Sequence, residues 1–288
     1  MDKAIIRNPF NYVGAKHKLL PQIIGIINSE KIDTFVDMFG GSGEVSLNVP
    51  FKNVVYNDKN FRLVNILKNL DDNFIPEVDK LIEEYNLSKD CKEEYGKLRE
   101  KYNSLEDISD REHAVILYTL LAHSFNNQIG FNKNGKFNIP QGKNRSSFND
   151  SMRTNLETYI KTLKTKDIQF HSCSFDDIDW DKVGPGMLFY ADPPYLITTG
   201  SYERDYLVRW SEENERKLYD MLDKINEKGA YFALSNVLTH KGKTNEILKE
   251  WTSDKYNVYH LEMTYKACNY QTHSRENKKS DEVLVTNF

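Results

Sequence analysis

Cysteine is scarce in this chain. Cys91, Cys173 and Cys268 are spread over 288 residues, too far apart for a CxxC metal knot or a disulfide framework. No metal site is expected, and free thiols fit a reducing cytoplasm, that of a host cell if the gene belongs to a phage. Long apolar runs are missing too. The longest, around Ala114 to Ala122, falls well short of the roughly 20 residues a membrane helix needs, so no membrane association is expected. The opening Met1 to Phe10 is charged and lacks the apolar core of a secretory signal. Nor does one sign of charge dominate. The 39 basic and 43 acidic side chains leave a net charge of −4, which neither demands nor forbids a polyanionic partner. Repeats and low-complexity segments are absent, and no obligate protein partner is evident.

With 39% hydrophobic and 12% aromatic residues, the chain can bury a substantial core. Thr34 to Phe39 and Asn53 to Asn57 read as short strands, each followed by a helix (Glu44 to Asn48, Arg62 to Leu70). This β-α-β-α start indicates an open α/β sheet. From Asp71 to about Lys166 the pattern is mainly helical: Ile75 to Tyr85, Cys91 to Tyr102, Arg111 to Phe125 and Met152 to Leu163, with a weak hairpin-like patch near Ile129 to Ile139. Strand signals resume at Ile168 to His171, Met187 to Ala191, Ala230 to Ser235, Val258 to Met263 and Glu282 to Thr286, with a helix from Ser211 to Asn226. The expected organisation is a discontinuous α/β domain (1–70 and 166–288) with a helical insertion at 71–165.

Asp192-Pro193-Pro194-Tyr195 is the most informative motif. It follows the apolar strand Met187 to Ala191, and two prolines in succession end that strand in a rigid turn. A carboxylate, a prolyl carbonyl without a ladder partner and an aromatic ring are thereby presented at the sheet edge. The first two accept the N–H bonds of an exocyclic amine, and the ring stacks on its heterocycle. Asp37-Met38-Phe39-Gly40-Gly41-Ser42-Gly43 is a strand running into a glycine turn that lets backbone approach a ligand closely. Gly41-x-Gly43-x-x-Ser46 nearly matches a dinucleotide fingerprint, and Asp58 closes the second strand where a carboxylate can accept ribose hydroxyls. Tyr12-Val13-Gly14-Ala15-Lys16 places an aromatic, a glycine and a cation ahead of an apolar helix.

Between His123 and Asn149 there is no acidic residue. The segment instead carries Lys133, Lys136, Lys143 and Arg145, amides including Asn126, Asn127, Gln128, Asn138 and Asn144, and Phe125, Phe131, Phe137 and Phe148. Cations neutralise phosphates, amides read base edges, and aromatic rings stack or wedge between bases. The loop from Lys266 to Lys279 (Lys266, Tyr270, His273, Arg275, Lys278, Lys279) is either a second phosphate-facing element or a solvated connection.

In this order the motifs resemble the Dam-type adenine-N6 DNA methyltransferases, in the arrangement with the cofactor half first. The resemblance runs through Tyr12 to Lys16, Phe35 to Gly43, Asp58, the loop Phe125 to Phe131 with Phe137 to Pro140, Ser174-Phe175, and Asp192 to Tyr195. It implies a Rossmann-like, S-adenosylmethionine-dependent fold whose insertion recognises the target in double-stranded DNA. Tyr12, Gly14, Lys16, Asp37, Phe39, Gly40, Gly41, Gly43, Asp58, Ser174, Phe175 and Asp192 would then hold S-adenosylmethionine. Asp192, Pro193, Pro194 and Tyr195 would grip a flipped adenine. Phe125, Asn126, Asn127, Gln128, Lys133, Lys136, Asn138, Pro140, Lys143, Asn144 and Arg145 would contact DNA. Gly130 departs from the family, which commonly has a guanine-gripping arginine there, so a GATC-like site read with altered stringency is expected. The residues themselves leave three alternatives open: an RNA adenine methyltransferase, a nicotinamide-dependent oxidoreductase suggested by the near-fingerprint, and a DNA-binding module without catalysis.

Overall fold

The computed structural model describes residues 5–10, 14–107, 109–201, 210–262 and 280–288. Tyr12, Cys268 and the loop Lys266 to Lys279 lie outside the described residues. The chain enters through α1 (Leu20–Ile27), where a proline in the first turn sacrifices an N–H that would have no partner anyway. Then come β1 (Thr34–Asp37), α2 (Glu44–Asn48), β2 (Asn53–Asn57) and α3 (Phe61–Lys68). Four helices follow: α4 (Phe74–Glu84), α5 (Lys92–Ser104), α6 (Arg111–His123) and α7 (Asp150–Leu163). The remainder is β3 (Asp167–His171), β4 (Met187–Ala191), α8 (Glu212–Glu227), β5 (Tyr231–His240), β6 (Lys243–Thr244), α9 (Glu246–Thr252), β7 (Asn257–Leu261) and β8 (Ser280–Thr286).

The strands form one sheet in the order β3-β2-β1-β4-β5-β8-β7, with β6 attached to β5. Pairing is parallel from β3 through β5, while β8 runs antiparallel between β5 and β7. The chain builds outward from β1 to β3, then returns to place β4 on the other side of β1. Open α/β sheets bind ligands at such a reversal, in the crevice outside the carboxyl ends of the strands. Both Asp37 and the Asp192 turn emerge there.

β4 is apolar on both faces because both are covered. Leu188 and Tyr190 enter the cluster that contains α1, whereas Phe189 and Ala191 enter the cluster that contains α8. Helix α6 is buried from His113 to His123 and packs against α3, α4 and α5, as expected of a helix apolar all round. The cluster around it is continuous with the sheet: Leu98, Leu117 and Leu156 share it with Tyr56 and Leu63. Among the described residues no helix is long and apolar enough to cross a membrane.

Several boundaries differ from the sequence reading. The helix expected to run to Phe125 ends at His123, because Ser124 turns extended (φ −74°, ψ 161°) and bridges to Gln141. The hairpin-like patch reduces to a single bridge between Phe131 and Phe137. Strand β5 continues five residues past Ser235, to His240, since β8 pairs along it through an irregularity between Val237 and Thr239.

Candidate cofactor and base site

Backbone conformation and two buried tyrosines shape the turn after β1. Gly41 (φ +51°) and Gly43 (φ +70°) occupy the left-handed region. A Cβ on Gly40 would lie 2.1 Å from the Tyr56 ring, so only glycine fits beneath it. The Tyr56 hydroxyl donates to the Gly41 carbonyl (2.6 Å) and the Tyr159 hydroxyl to that of Ser42 (3.2 Å). Neither tyrosine stands out in the sequence, where both occupy ordinary apolar positions. Gly41 N–H donates to Asp58 Oδ2 (2.8 Å) and Asn60 N–H to Asp58 Oδ1 (2.7 Å), fixing that carboxylate over the turn.

Asp37 is 1% exposed; Ser46 donates to its Oδ2 at 2.6 Å, while its Oδ1 has no hydrogen-bond partner. Burial, opposed by the Ser46 bond and reinforced by the charges of Asp192 and Asp58, pushes its carboxyl up to about 7. With its hydroxyl turned inward to Asp37, Ser46 does not act as the third glycine of a dinucleotide fingerprint.

Asp192 stands at the carboxyl end of β4. Lys16, itself only 6% exposed, places Nζ 2.6 Å from Asp192 Oδ2, and the Tyr195 hydroxyl donates to Oδ1 at 3.1 Å. Burial raises the Asp192 carboxyl above the usual range, opposed by Lys16. Lys16 also donates to the Gly14 carbonyl (3.1 Å) and lies 5.0 Å from the centroid of the Tyr195 ring. Pro193 is buried and Pro194 half-buried beside them. Glu282, on β8, feels both Lys16 and Asp192, and burial raises its carboxyl. Asp192 and Glu282 thus share the Lys16 ammonium, and Asp37 feels the charges of both Asp192 and Asp58. This acid-rich crevice suits a cationic ligand.

Phe39 and Phe175 stack at 5.4 Å. Ser174, whose N–H donates to Asp177 Oδ2 (3.2 Å), precedes Phe175 in the loop after β3. That loop adjoins Asp58, whose carbonyl accepts from Ser172 Oγ (3.1 Å). A cleft of about 750 Å³ is lined by Tyr195 and Glu282, with Arg7, Lys16, His17, Lys18 and Asn127 among its other lining residues. The basic residues Arg7, His17 and Lys18 were not singled out from sequence. Glu44, also in its lining, is 2% exposed and faces His17 Nδ1 at 3.4 Å.

The polar loop is anchored more firmly than its composition indicates. Phe131 and Phe137 are not available to stack on bases: they are 3% and 1% exposed and pack on Tyr102. Phe148 is partly buried against Tyr118 and Arg153. Phe125 is the outward ring, 44% exposed. Asn103 brackets Phe137 through both backbone groups (2.8 and 3.0 Å), and Arg62 donates to the Gly135 carbonyl at 3.0 Å. Asn126, Asn127 and Asn144 all hold positive φ, which explains part of the asparagine content conformationally. Asn127 spends its amide nitrogen on the Ala122 carbonyl (2.8 Å), and the Gln128 carbonyl accepts from Ser124 Oγ (3.1 Å). The Pro140 carbonyl accepts from Phe125 N–H (2.8 Å). Lys133, Lys136, Asn138, Pro140, Lys143, Asn144 and Arg145 are exposed, and among the described residues none of the four cations forms an ion pair. A Cβ on Gly130 would lie 2.6 Å from Ile139 Cδ1, so an arginine there would have to displace Ile139. Among the described residues no cluster of three or more potential metal ligands occurs.

A mostly parallel sheet with an acid-rich crevice at its reversal point, flanked by a glycine turn and Asp192-Pro193-Pro194-Tyr195, defines a nucleoside-cofactor fold of the methyltransferase class. Residues 12–267 match the model of the D12 class N6 adenine-specific DNA methyltransferases, and the chain belongs to that family. It is 42% identical over 289 residues to the type II methyltransferase M.FokI of Planomicrobium okeanokoites, covering 98% of this chain and 43% of that protein. The modification methylase StsI of Streptococcus sanguinis is 38% identical over 293 residues, 99% of this chain and 43% of that protein. The DNA adenine methylase of Escherichia coli K12 is 25% identical over 280 residues, covering 95% of this chain and 92% of that enzyme. This chain therefore spans less than half the length of the first two relatives.

Proposed function

We propose that the chain transfers a methyl group from S-adenosylmethionine to N6 of an adenine flipped out of a short duplex DNA site. The observation that carries this reading is Asp192, held by Lys16 and Tyr195 at the sheet's reversal point. The crevice fits the cofactor: Asp37 Oδ1 is a buried acceptor lacking a donor, as an ammonium would supply, and Asp58 lies over the glycine turn. Gly14, Ser174 and Phe175 would complete that set, with Tyr12 added on the family resemblance alone, and Lys16 would supply the cation for the cofactor's carboxylate.

The cofactor supplies an electrophilic methyl group on a positively charged sulfur. Asp192 and the Pro193 carbonyl accept the two N6 hydrogens, favouring a pyramidal nitrogen whose lone pair points at the methyl group. Positive charge develops on that nitrogen during transfer, and the Asp192 carboxylate stabilises it. The amine becomes acidic only after methylation, so Asp192 need not abstract a proton first. Tyr195 floors the pocket for a base removed from the stack.

Long-read sequencing of DNA from cells expressing the chain tests the proposal and reads the target site. N6-methyladenine at a defined motif is expected, and unmodified DNA would refute it. RNA from the same cells, if methylated instead, would shift the substrate class.

Tyr195→Ala should weaken capture of the flipped base by about 1–3 kcal/mol, the usual worth of a base–aromatic stack. A 2-aminopurine at the target position should then brighten less on binding; an unchanged signal would make Tyr195 structural. The exposed Lys133, Lys136, Lys143 and Arg145 are assigned to phosphates, in a target-recognition segment spanning 71–165 with its reading loop at 125–149. Replacing each should lower the log–log salt slope of DNA affinity by roughly one. Weaker binding at constant slope would remove these side chains from the DNA backbone.

A further inference from the structure

Trp210 lies outside every sequence motif above, yet it completes the aromatic group at the carboxyl edge of the sheet. Its indole stands edge-on to Phe39 (centroids 5.6 Å apart, planes at 79°) and tilted against Phe175 (5.3 Å, 52°). All three rings are only partly buried. Behind them sits Glu215 of α8, 0% exposed. Its carboxylate accepts from Trp210 Nε1 and Tyr219 Oη, from Asn236 Nδ2 at 2.9 Å and from Asn245 Nδ2 at 3.0 Å. These donors come from the residue preceding the N-cap of α8, from α8 itself, from β5 and from the N-cap of α9.

A buried carboxylate is expensive unless its lone pairs are all met, and an apolar side chain would fill the same space at lower cost. The network fixes one thing an apolar side chain cannot, the direction of the indole. With its N–H held inward, Trp210 is committed to the Phe39–Phe175 side of the crevice. Those rings follow the carboxyl ends of β1 and β3, and the second loop touches Asp58 through Ser172. A nucleoside with its ribose on Asp58 therefore has the trio as its neighbour, and flat π-faced adenine is the group such rings recognise.

We infer that Trp210 is a wall of the adenine pocket for the cofactor, and that Glu215 is the positioning residue that orients it. The inference rests on the cofactor reading above. S-adenosylhomocysteine is the probe. Wild-type protein should bind it with quenching of tryptophan fluorescence, and Trp210→Phe should lose most of that quenching. The chain's other tryptophans are Trp180 and Trp251, and Trp251 is packed among Tyr219, Phe232 and Tyr256. By isothermal titration Trp210→Ala should raise Kd roughly tenfold, Trp210→Phe by less than about threefold and Glu215→Gln by an intermediate factor. KM for the cofactor should rise with kcat and DNA affinity little changed, a split that general loosening of the fold would not produce. Full quenching in Trp210→Phe, or wild-type affinity in a folded Trp210→Ala, overturns the inference. Failure of the wild type to bind S-adenosylhomocysteine would instead overturn the cofactor reading.

Discussion

Asp192→Ala is expected to lower single-turnover methyl transfer by on the order of a thousandfold, with cofactor Kd changed only a few-fold. Two losses combine. The target amine forfeits a charge-assisted hydrogen bond, and the developing positive charge on nitrogen forfeits its counter-charge. The structure adds a third. Lys16 is 6% exposed and now sits 2.6 Å from Asp192 Oδ2; in the variant its ammonium would remain near the reacting nitrogen without its balancing carboxylate. Asp192→Asn preserves shape and should recover part of the positioning but not the charge term, leaving it between the two. Rapid-quench measurement of methyl incorporation checks the order wild type, Asn, Ala. Turnover of the alanine variant within tenfold of wild type would refute the mechanism.

Local pattern made much of this fold legible. β1, the glycine turn, α2 and β2 follow from a short strand, flexible residues and an apolar period, all within a few residues of one another. What escaped depends on partners distant in sequence. β5 reaches His240 because β8 pairs beside it, and nothing in the strand's own residues shows that. β6 and α9 span two and seven residues, too few to display a period.

The site divides along the same line. Asp192 to Tyr195 and Phe39 to Gly43 are contiguous and announce their chemistry through residue type. The Lys16–Asp192 pair, the Tyr159 clamp on Ser42 and the bonds from Asn236 and Asn245 that hold Glu215 join segments that only the fold brings together. Phe131 and Phe137 show the opposite error: rings in a polar loop suggested base contacts, but Tyr102 and Arg62 hold Phe131 inward while Tyr102 and Asn103 anchor Phe137. Residue type alone cannot distinguish a ring that seals a loop onto a helix from one that meets a base.

Asp37→Asn should separate stability from cofactor binding. Burial raises the folded-state carboxyl from 3.8 to about 7, so the folded state binds the extra proton more tightly than the unfolded chain. Below about pH 4 both states are protonated and the group costs nothing; the cost grows between about pH 4 and 7 and is constant above that. At about 1.4 kcal/mol per pH unit it reaches roughly 4 kcal/mol. Asparagine keeps the shape and can still accept from Ser46, but carries no charge. The variant should therefore melt at least as high as wild type at pH 8. If the unpartnered Oδ1 serves the ammonium of the cofactor, the same variant should bind S-adenosylhomocysteine roughly ten- to a hundredfold more weakly. Wild-type affinity should also fall up to about tenfold per pH unit below 7, where Asp37 must first lose its proton, and the variant should lack that dependence. Calorimetric titration between pH 5.5 and 8 measures both. Equal affinity and the same pH profile in the two proteins would confine Asp37 to bracing the turn through Ser46.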